Sequence, residues 1–216
     1  MRKYLIIIPL LILLPLIVRA ETITVTYDSC IDGDTAHFIY QDKNLKTRFI
    51  AINAPEIEHE DKKADFKGEE AKEFICNILS NASKIELEYD NNSAKEDKYG
   101  RTLAWIWVDD KLLQESIIEK GLAKVDFIYD EYLYVPYLCQ VEKKSFQAKV
   151  GIWEKEEKLG YCSKVEDTNI TLEELKKEKL EDIDIKVNKK DIIILAIFAI
   201  FIIFITLITL YIIRRS

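Results

Sequence analysis

The spacing of hydrophobic and polar positions changes period several times along the chain, and each change marks an element. From Thr22 to Tyr27 the run Thr-Ile-Thr-Val-Thr-Tyr alternates, the two-residue period of a strand with one face in a core. Ala36–Tyr40 and Lys46–Ile52 read as the next two strands, with Lys43-Asn44 as the turn between them. After Pro55 the periodicity disappears in Glu56-Ile-Glu-His-Glu-Asp-Lys-Lys-Ala-Asp, which predicts a solvated, mobile loop with His59 facing water. Ala71, Phe74, Ile75, Ile78, Leu79 and Ala82 then recur at steps of three and four, the core-facing stripe of a helix. Lys84–Tyr89 and Leu103–Val108 are strands again, the first closed by an Asp90-Asn-Asn-Ser turn. Leu113–Lys120 is a short helix stopped by Gly121, a residue suited to a left-handed cap. Leu138, Val141, Ser145 and Ala148 mark one face of a longer helix that ends by Gly151.

Three strands, a helix, two strands and then helices predict an α+β, mainly β domain. The expected form is a five-stranded Greek-key barrel of the OB type with about three helices, a fold that binds oligonucleotides on one face. This domain is expected over 21–162.

The two ends are apolar in different ways. Met1-Arg-Lys, an apolar run broken by Pro9 and Pro15, and Val18-Arg19-Ala20 read as a signal peptide over 1–20, with a retained N-terminal anchor as the alternative. Ile192–Ile213 carries no charge; its length of roughly 33 Å as a helix suffices for the hydrocarbon core of a bilayer. The expected order is therefore a charged, partly helical stalk over 163–190, a C-terminal transmembrane helix over 191–213 and a short cytoplasmic tail over 214–216. Thr171 and Glu174 within the stalk have the spacing of a capping box. Export followed by a stop-transfer helix places the folded domain outside the cytoplasm at the cell membrane.

Composition narrows the chemistry. The 216 residues are 49% hydrophobic with a formal charge of -7, so a general basic coat is excluded and any polyanion must be held by a local cationic site. Four cysteines, Cys30, Cys76, Cys139 and Cys162, are free to oxidise outside the cytoplasm and allow three pairings. Cys139 with Cys162, which would staple the tail to the last helix, is the preferred one, and buried free thiols are the alternative.

Three short motifs carry the candidate chemistry. Cys30-Ile-Asp-Gly-Asp34-Thr35 opens the second strand, Arg48-x4-Asn53-Ala54-Pro55-Glu56 closes the third, and Asp97-Lys98-Tyr99-Gly100-Arg101 precedes the aromatic strand Leu103-Ala-Trp-Ile-Trp-Val108. Antiparallel neighbours place the start of one strand beside the end of the next. Asp34 is thus expected beside Asn53 and Glu56, with the two arginines at the same sheet edge.

With these motifs, and with Gly121-Leu-Ala-Lys-Val and Gly-Ile-Trp153 after them, the chain resembles the staphylococcal nuclease (thermonuclease) family from about Thr24 to Trp153. The resemblance implies an OB-fold endonuclease, a phosphodiesterase that uses Ca2+ to cleave DNA and RNA and leaves 3′-phosphate ends. It implies Asp34, Asn53 and the Ala54 carbonyl as metal ligands, Glu56 as the general base, and Arg48 and Arg101 as the arginines that bind phosphate. Lys98, Tyr99 and Tyr129 fall on nucleotide-contacting positions. Two positions depart from the family pattern: Asn53 stands where it has aspartate, and Phe127 stands where it has tyrosine. The expected partners are DNA or RNA as substrate and the membrane through the C-terminal helix, with no small-molecule cofactor. The rival reading is a nuclease-like module, weak or inactive in catalysis, that binds nucleic acid or a protein partner.

Overall fold

The computed structural model describes residues 22–58, 60, 63–166 and 168–181, together with positions 193, 194, 197, 200 and 201. The expected signal segment, the tail over 214–216 and His59 lie outside the described residues, as does the expected membrane helix apart from five positions, which are helical and exposed. Among the described residues no helix is long and apolar enough to cross a membrane.

Five strands make the barrel: β1 (Thr22–Cys30), β2 (Thr35–Tyr40), β3 (Lys43–Phe49), then, past the short β4 (Ile52–Asn53) and helix α1 (Gly68–Ser80), β5 (Ile85–Glu88) and β6 (Thr102–Val108). Their order is β3-β2-β1-β5-β6, and parallel pairing of β3 with β6 closes the ring. Closure leaves these five without a free edge, and the order is consistent with an OB barrel. A two-residue strand β7 (Lys111–Leu112) folds back on β6 and leads into α2 (Leu113–Glu119). The second short strand β8 (Lys124–Val125) pairs with β4, and α3 (Val135–Gln147) follows.

The sequence alternation has the expected consequence for packing. Ala36 and Phe38 of β2, Phe49 of β3, Leu87 of β5 and its partner Ile106 of β6 are buried inside the barrel, and Ala71, Ile75 and Leu79 of α1 lie in the same core. The aromatic strand is tied to acids that match its polar edges. Trp105 Nε1 donates to Asp90 Oδ2 at 2.8 Å, Trp107 Nε1 donates to Glu88, and the Tyr134 hydroxyl donates to Glu88 Oε1 at 3.1 Å. Both indoles meet the Tyr134 ring edge to face, at centroid distances of 5.1 and 5.6 Å, so each large ring is buried with its polar atom satisfied.

Three expectations need correction. The turn between β2 and β3 is Gln41-Asp42, both at positive φ (48° and 62°), while Lys43 and Asn44 belong to β3 opposite Tyr40 and Ile39. A two-residue hairpin whose twist matches its strands needs positive φ at both central positions, and here residues other than glycine supply it. The third strand also stops at Phe49: Ala51 at φ 63° turns the chain off the ladder and sends Ile52-Asn53 to β8. Finally, part of the expected stalk is packed on the domain. The capping box forms at Thr171 and Glu174 and opens a helix over 172–181. Its Leu175 is buried, its Lys176 ammonium lies 4.1 Å from the Trp107 ring centroid, and its Lys179 pairs with Glu88.

Two disulfides are formed. Cys139–Cys162 fastens the segment after α3 to that helix, and Cys30–Cys76 joins the end of β1 to α1.

Candidate active site

The site is built on the tight turn that carries the chain from β1 to β2. The Ile31 and Asp32 amides both donate to the Thr35 carbonyl at 3.0 and 3.3 Å, and the Asp34 amide donates to Asp32 Oδ1 at 2.9 Å, the self-bonding by which aspartate stabilises such turns. Gly33 is required by close approach: a Cβ there would lie 2.6 Å from the Ala54 Cβ and 2.9 Å from the Ala71 Cβ. The turn is thereby pressed against both the Asn53–Glu56 segment and α1, and Asp34 is directed inward with only 6% of its surface exposed.

Register then brings Arg48 to it. Thr35 pairs with Arg48 across β2 and β3. The Arg48 NH2 lies 3.1 Å from Asp34 Oδ2, while its NH1 donates to the Phe49 carbonyl at 2.8 Å. The same Asp34 oxygen accepts the Ala54 amide at 2.8 Å, and the other accepts the Thr35 hydroxyl at 3.0 Å. Burial pushes the Asp34 carboxyl up to about 7; the Arg48 guanidinium opposes this, the Asp32 charge adds to it, and the Ala54 and Thr35 hydrogen bonds pull it back. An acid so placed gains from further positive charge.

Glu56 is exposed, but its backbone is gripped from both sides. Its amide donates to Asp65 Oδ2 at 3.3 Å and its carbonyl accepts the Asp65 amide at 2.9 Å. A Cβ at Gly68 would lie 2.2 Å from that carbonyl, so the start of α1 is packed against it. The loop read as mobile is anchored here at both ends, with Ile57 buried.

Arg101 is held locally. Asp97 Oδ1 accepts the amides of Tyr99 and Arg101 at 2.9 and 3.0 Å, and Oδ2 accepts the Arg101 Nε–H at 2.7 Å. Burial alone would raise the Asp97 carboxyl; the Arg101 and Tyr99 donors and the guanidinium charge outweigh it and hold it below its ordinary value. The Arg101 guanidinium and the Lys98 ammonium lie 5.6 and 5.0 Å from the Tyr99 ring centroid. Tyr99 and Tyr129 are 72% and 81% exposed.

One cleft of about 730 Å³ is lined by Asp34, Arg48, Asn53, Glu56, Lys98, Tyr99, Arg101 and Tyr129. Of the residues singled out in the sequence only Ala54 is absent from its lining. Ala54 lines a second cleft of about 550 Å³, shared with Asn53 and Glu56, on the side of Asp65, Phe66, Lys124 and Lys155. Sequence reasoning passed over Asp97 as a holder of Arg101, although it stands at the head of the motif. It also gave no role to Asp32, or to Phe127, whose ring lies 5.5 Å from the Arg48 guanidinium.

The family model described as staphylococcal nuclease homologue matches residues 46–155, about half of the chain. The chain belongs to the staphylococcal nuclease family. Among its relatives, endonuclease YncB of Bacillus subtilis is 34% identical over 138 residues, 63% of this chain. A second Bacillus subtilis protein, the SPbeta prophage-derived endonuclease YokF, is 32% identical over 136 residues, 62% of this chain. This chain spans 64% of the first and 45% of the second, less than two thirds of either. The thermonuclease of Staphylococcus hyicus is 33% identical over 123 residues, 57% of this chain and 71% of that protein.

Three of the residues singled out in the sequence offer oxygens that would suit a hard divalent cation. The Asp34 carboxylate, the Asn53 amide oxygen and the Ala54 carbonyl are all oxygen donors, the kind calcium takes. Among the described residues no group of three His, Cys, Asp or Glu side chains is arranged to hold a metal, so a cation here would depend on the amide and carbonyl oxygens.

Proposed function

We propose that this protein is a calcium-dependent endonuclease that hydrolyses phosphodiester bonds of DNA or RNA at the cell surface. The observation that carries the reading is the cleft itself, which Arg48, Arg101 and Glu56 line together with the buried Asp34.

In-line attack of water on a phosphodiester gathers negative charge on the phosphorus oxygens, so positioning and electrostatics supply most of the catalysis. Arg48 and Arg101 meet that charge. A guanidinium offers a planar fork to two oxygens, which an ammonium cannot reproduce. Each fork is oriented beforehand, Arg48 by Asp34 and the Phe49 carbonyl, Arg101 by Asp97. Glu56, exposed at the mouth of the cleft, takes the proton of the attacking water. The P–O5′ bond breaks, the 5′ oxygen takes a proton from solvent, and a 3′-phosphate remains. Asp34, Asn53 and Ala54 would hold the calcium, which when bound supplies positive charge against the phosphate oxygens. Tyr99 and Tyr129 give the bases exposed rings to stack on, a contact that tolerates any sequence.

The extracytoplasmic setting is part of the proposal. Two disulfides form where thiols oxidise, and the uncharged run Ile192–Ile213 supplies the expected anchor.

The test is incubation of the full chain with single-stranded DNA, duplex DNA and RNA across a calcium series, with Arg48→Ala as the control. Calcium-dependent cleavage that disappears in the variant supports the enzyme. Binding without cleavage at every calcium concentration would leave the rival, a nuclease-like binding module.

A further inference from the structure

Asn53 is the weak point of the proposed cation site, because an amide carries no charge and can present either its oxygen or its NH2. The neighbouring strand answers both problems. The Asp126 amide donates to the Ala51 carbonyl at 3.1 Å, which continues the β4–β8 ladder and brings Asp126 beside Asn53. Its carboxylate is divided between two donors: Oδ1 accepts the Phe127 amide at 2.7 Å, and Oδ2 accepts the Asn53 Nδ2 at 3.5 Å. With the NH2 on Asp126, the Asn53 oxygen lies on the opposite edge of the amide plane. Asn53 lines both clefts, and among the described residues no donor takes that oxygen. Lys124, paired with Asn53 in the ladder, does not cancel the Asp126 charge, because its ammonium is on Glu156 at 2.8 Å.

We propose that Asp126 is a positioning residue: it fixes the Asn53 amide with its oxygen available to a cation and supplies the negative charge that the amide lacks. The pair Asn53–Asp126 then does across two strands what one carboxylate would do at position 53. The inference rests on the calcium-holding reading above. It also explains why an acid would fit position 53 poorly in the native chain, since it would face a second carboxylate where the amide now donates a hydrogen bond. Partners in the outer shell that orient a ligand are worth about 10–100-fold in metal affinity.

The experiment is a thermal-shift titration of the full chain with calcium alone, on the native protein, Asp126→Ala, Asn53→Asp and the double variant. Asp126 is exposed, so the calcium-free melting temperatures of Asp126→Ala and Asp126→Asn should stay close to that of the native protein. Asp126→Ala should raise the calcium concentration for half-maximal shift about 10-fold in the native background. In the Asn53→Asp background, where a carboxylate needs no orienting, the same change should move it less than about 3-fold. Asp126→Asn, which keeps an acceptor for the amide, should fall between native and Asp126→Ala. The same factor in both backgrounds, or no effect in either, would overturn the proposal while leaving calcium binding intact. A native protein with no calcium-dependent shift at all would overturn the calcium reading and this inference with it.

Discussion

The two arginines of the cleft are held by different kinds of structure. Arg48 stands in a strand paired on both sides, with Thr35 on β2 and Leu103 on β6, and its side chain is 11% exposed against the buried Asp34. Arg101 stands just before β6 on a turn closed by Asp97, with its side chain 28% exposed. Both would meet the same phosphate, yet one is part of the barrel and the other is braced from its own turn. Charge built into a core is coupled to stability, whereas charge held by a local turn can be changed with little cost to the fold.

The sharpest way to separate them is to remove each. Arg48→Ala and Arg101→Ala should each lower kcat about 10²–10³-fold, the cost of losing one donor to developing charge. In calcium-free buffer at pH 9, where the native Asp34 is ionised, Arg48→Ala should also lose stability, up to about 3–5 kcal/mol, because Asp34 must stay buried without its partner or take up a proton. Arg101→Ala should lose no more than about 1 kcal/mol. Denaturant melts beside initial rates check both; equal stability losses would erase the distinction.

The disulfides extend the contrast. Cys30–Cys76 closes a separation of 46 residues and Cys139–Cys162 one of 23, so by loop entropy removal should cost about 4 and about 3 kcal/mol respectively. Only the first holds the Asp34 turn to α1. Paired serine substitutions at 30 and 76 should therefore lower kcat as well as stability, while those at 139 and 162 should lower stability alone, as rates measured well below the melting temperature would reveal.

A buried carboxylate behind β8 gives a pH signature. Glu142 Oε1 accepts the Val125 amide at 2.7 Å, while its Oε2 has no hydrogen-bond partner among the described residues. Burial pushes this acid up to about 7, against the Val125 hydrogen bond and the Lys124 charge, with Asp126 adding to the rise. The folded state therefore keeps a proton that the unfolded chain loses near pH 4.5. Stability must fall as pH rises from there to about 7 and level off above. Glu142→Gln has no such proton, so relative to the variant the native protein should lose up to about 3 kcal/mol between pH 4.5 and 8. A constant difference across that range would contradict the assignment.

The smallest effect belongs to the exposed rim. Tyr129→Ala removes a ring in contact with solvent, and loss of one stacked base costs about 1–3 kcal/mol of binding. KM should rise about 10-fold with kcat unchanged, measured on single-stranded DNA.

Much of this was legible in the sequence because it follows from period and order. Alternation in Thr22–Tyr27 and Lys84–Tyr89, the helical stripe of Ala71, Ile75 and Leu79 between them and the apolar run Leu103–Val108 after them set the element order that an OB barrel requires. The three motifs converge because each sits at a strand end. Features set by single backbone angles or by contacts distant in sequence were harder to read. Gln41-Asp42 carries no glycine, so the neighbouring Lys43-Asn44 looked the better turn. Ala51 gives no sign of the positive φ that diverts Asn53 to β8. Asp126 and Asn53 are far apart in the chain and meet only through that diversion. Leu175 and Lys179 lie in a stretch whose composition is that of a solvated helix, and their docking depends on the Glu88 and Trp107 surface and on α3 side chains that bind the Val165 and Ile170 carbonyls.

Single-turnover cleavage at saturating DNA and calcium tests the central claim most directly, with Glu56→Gln and Tyr129→Ala compared against the native chain. The expected result is a Glu56→Gln rate that stays at least about 10²-fold down however much DNA is supplied, and a Tyr129→Ala rate that recovers to within about 2-fold of native. A Glu56→Gln protein that cleaves at the native rate would contradict the assignment of the proton-accepting carboxylate, and with it the account of this cleft as a phosphodiesterase site.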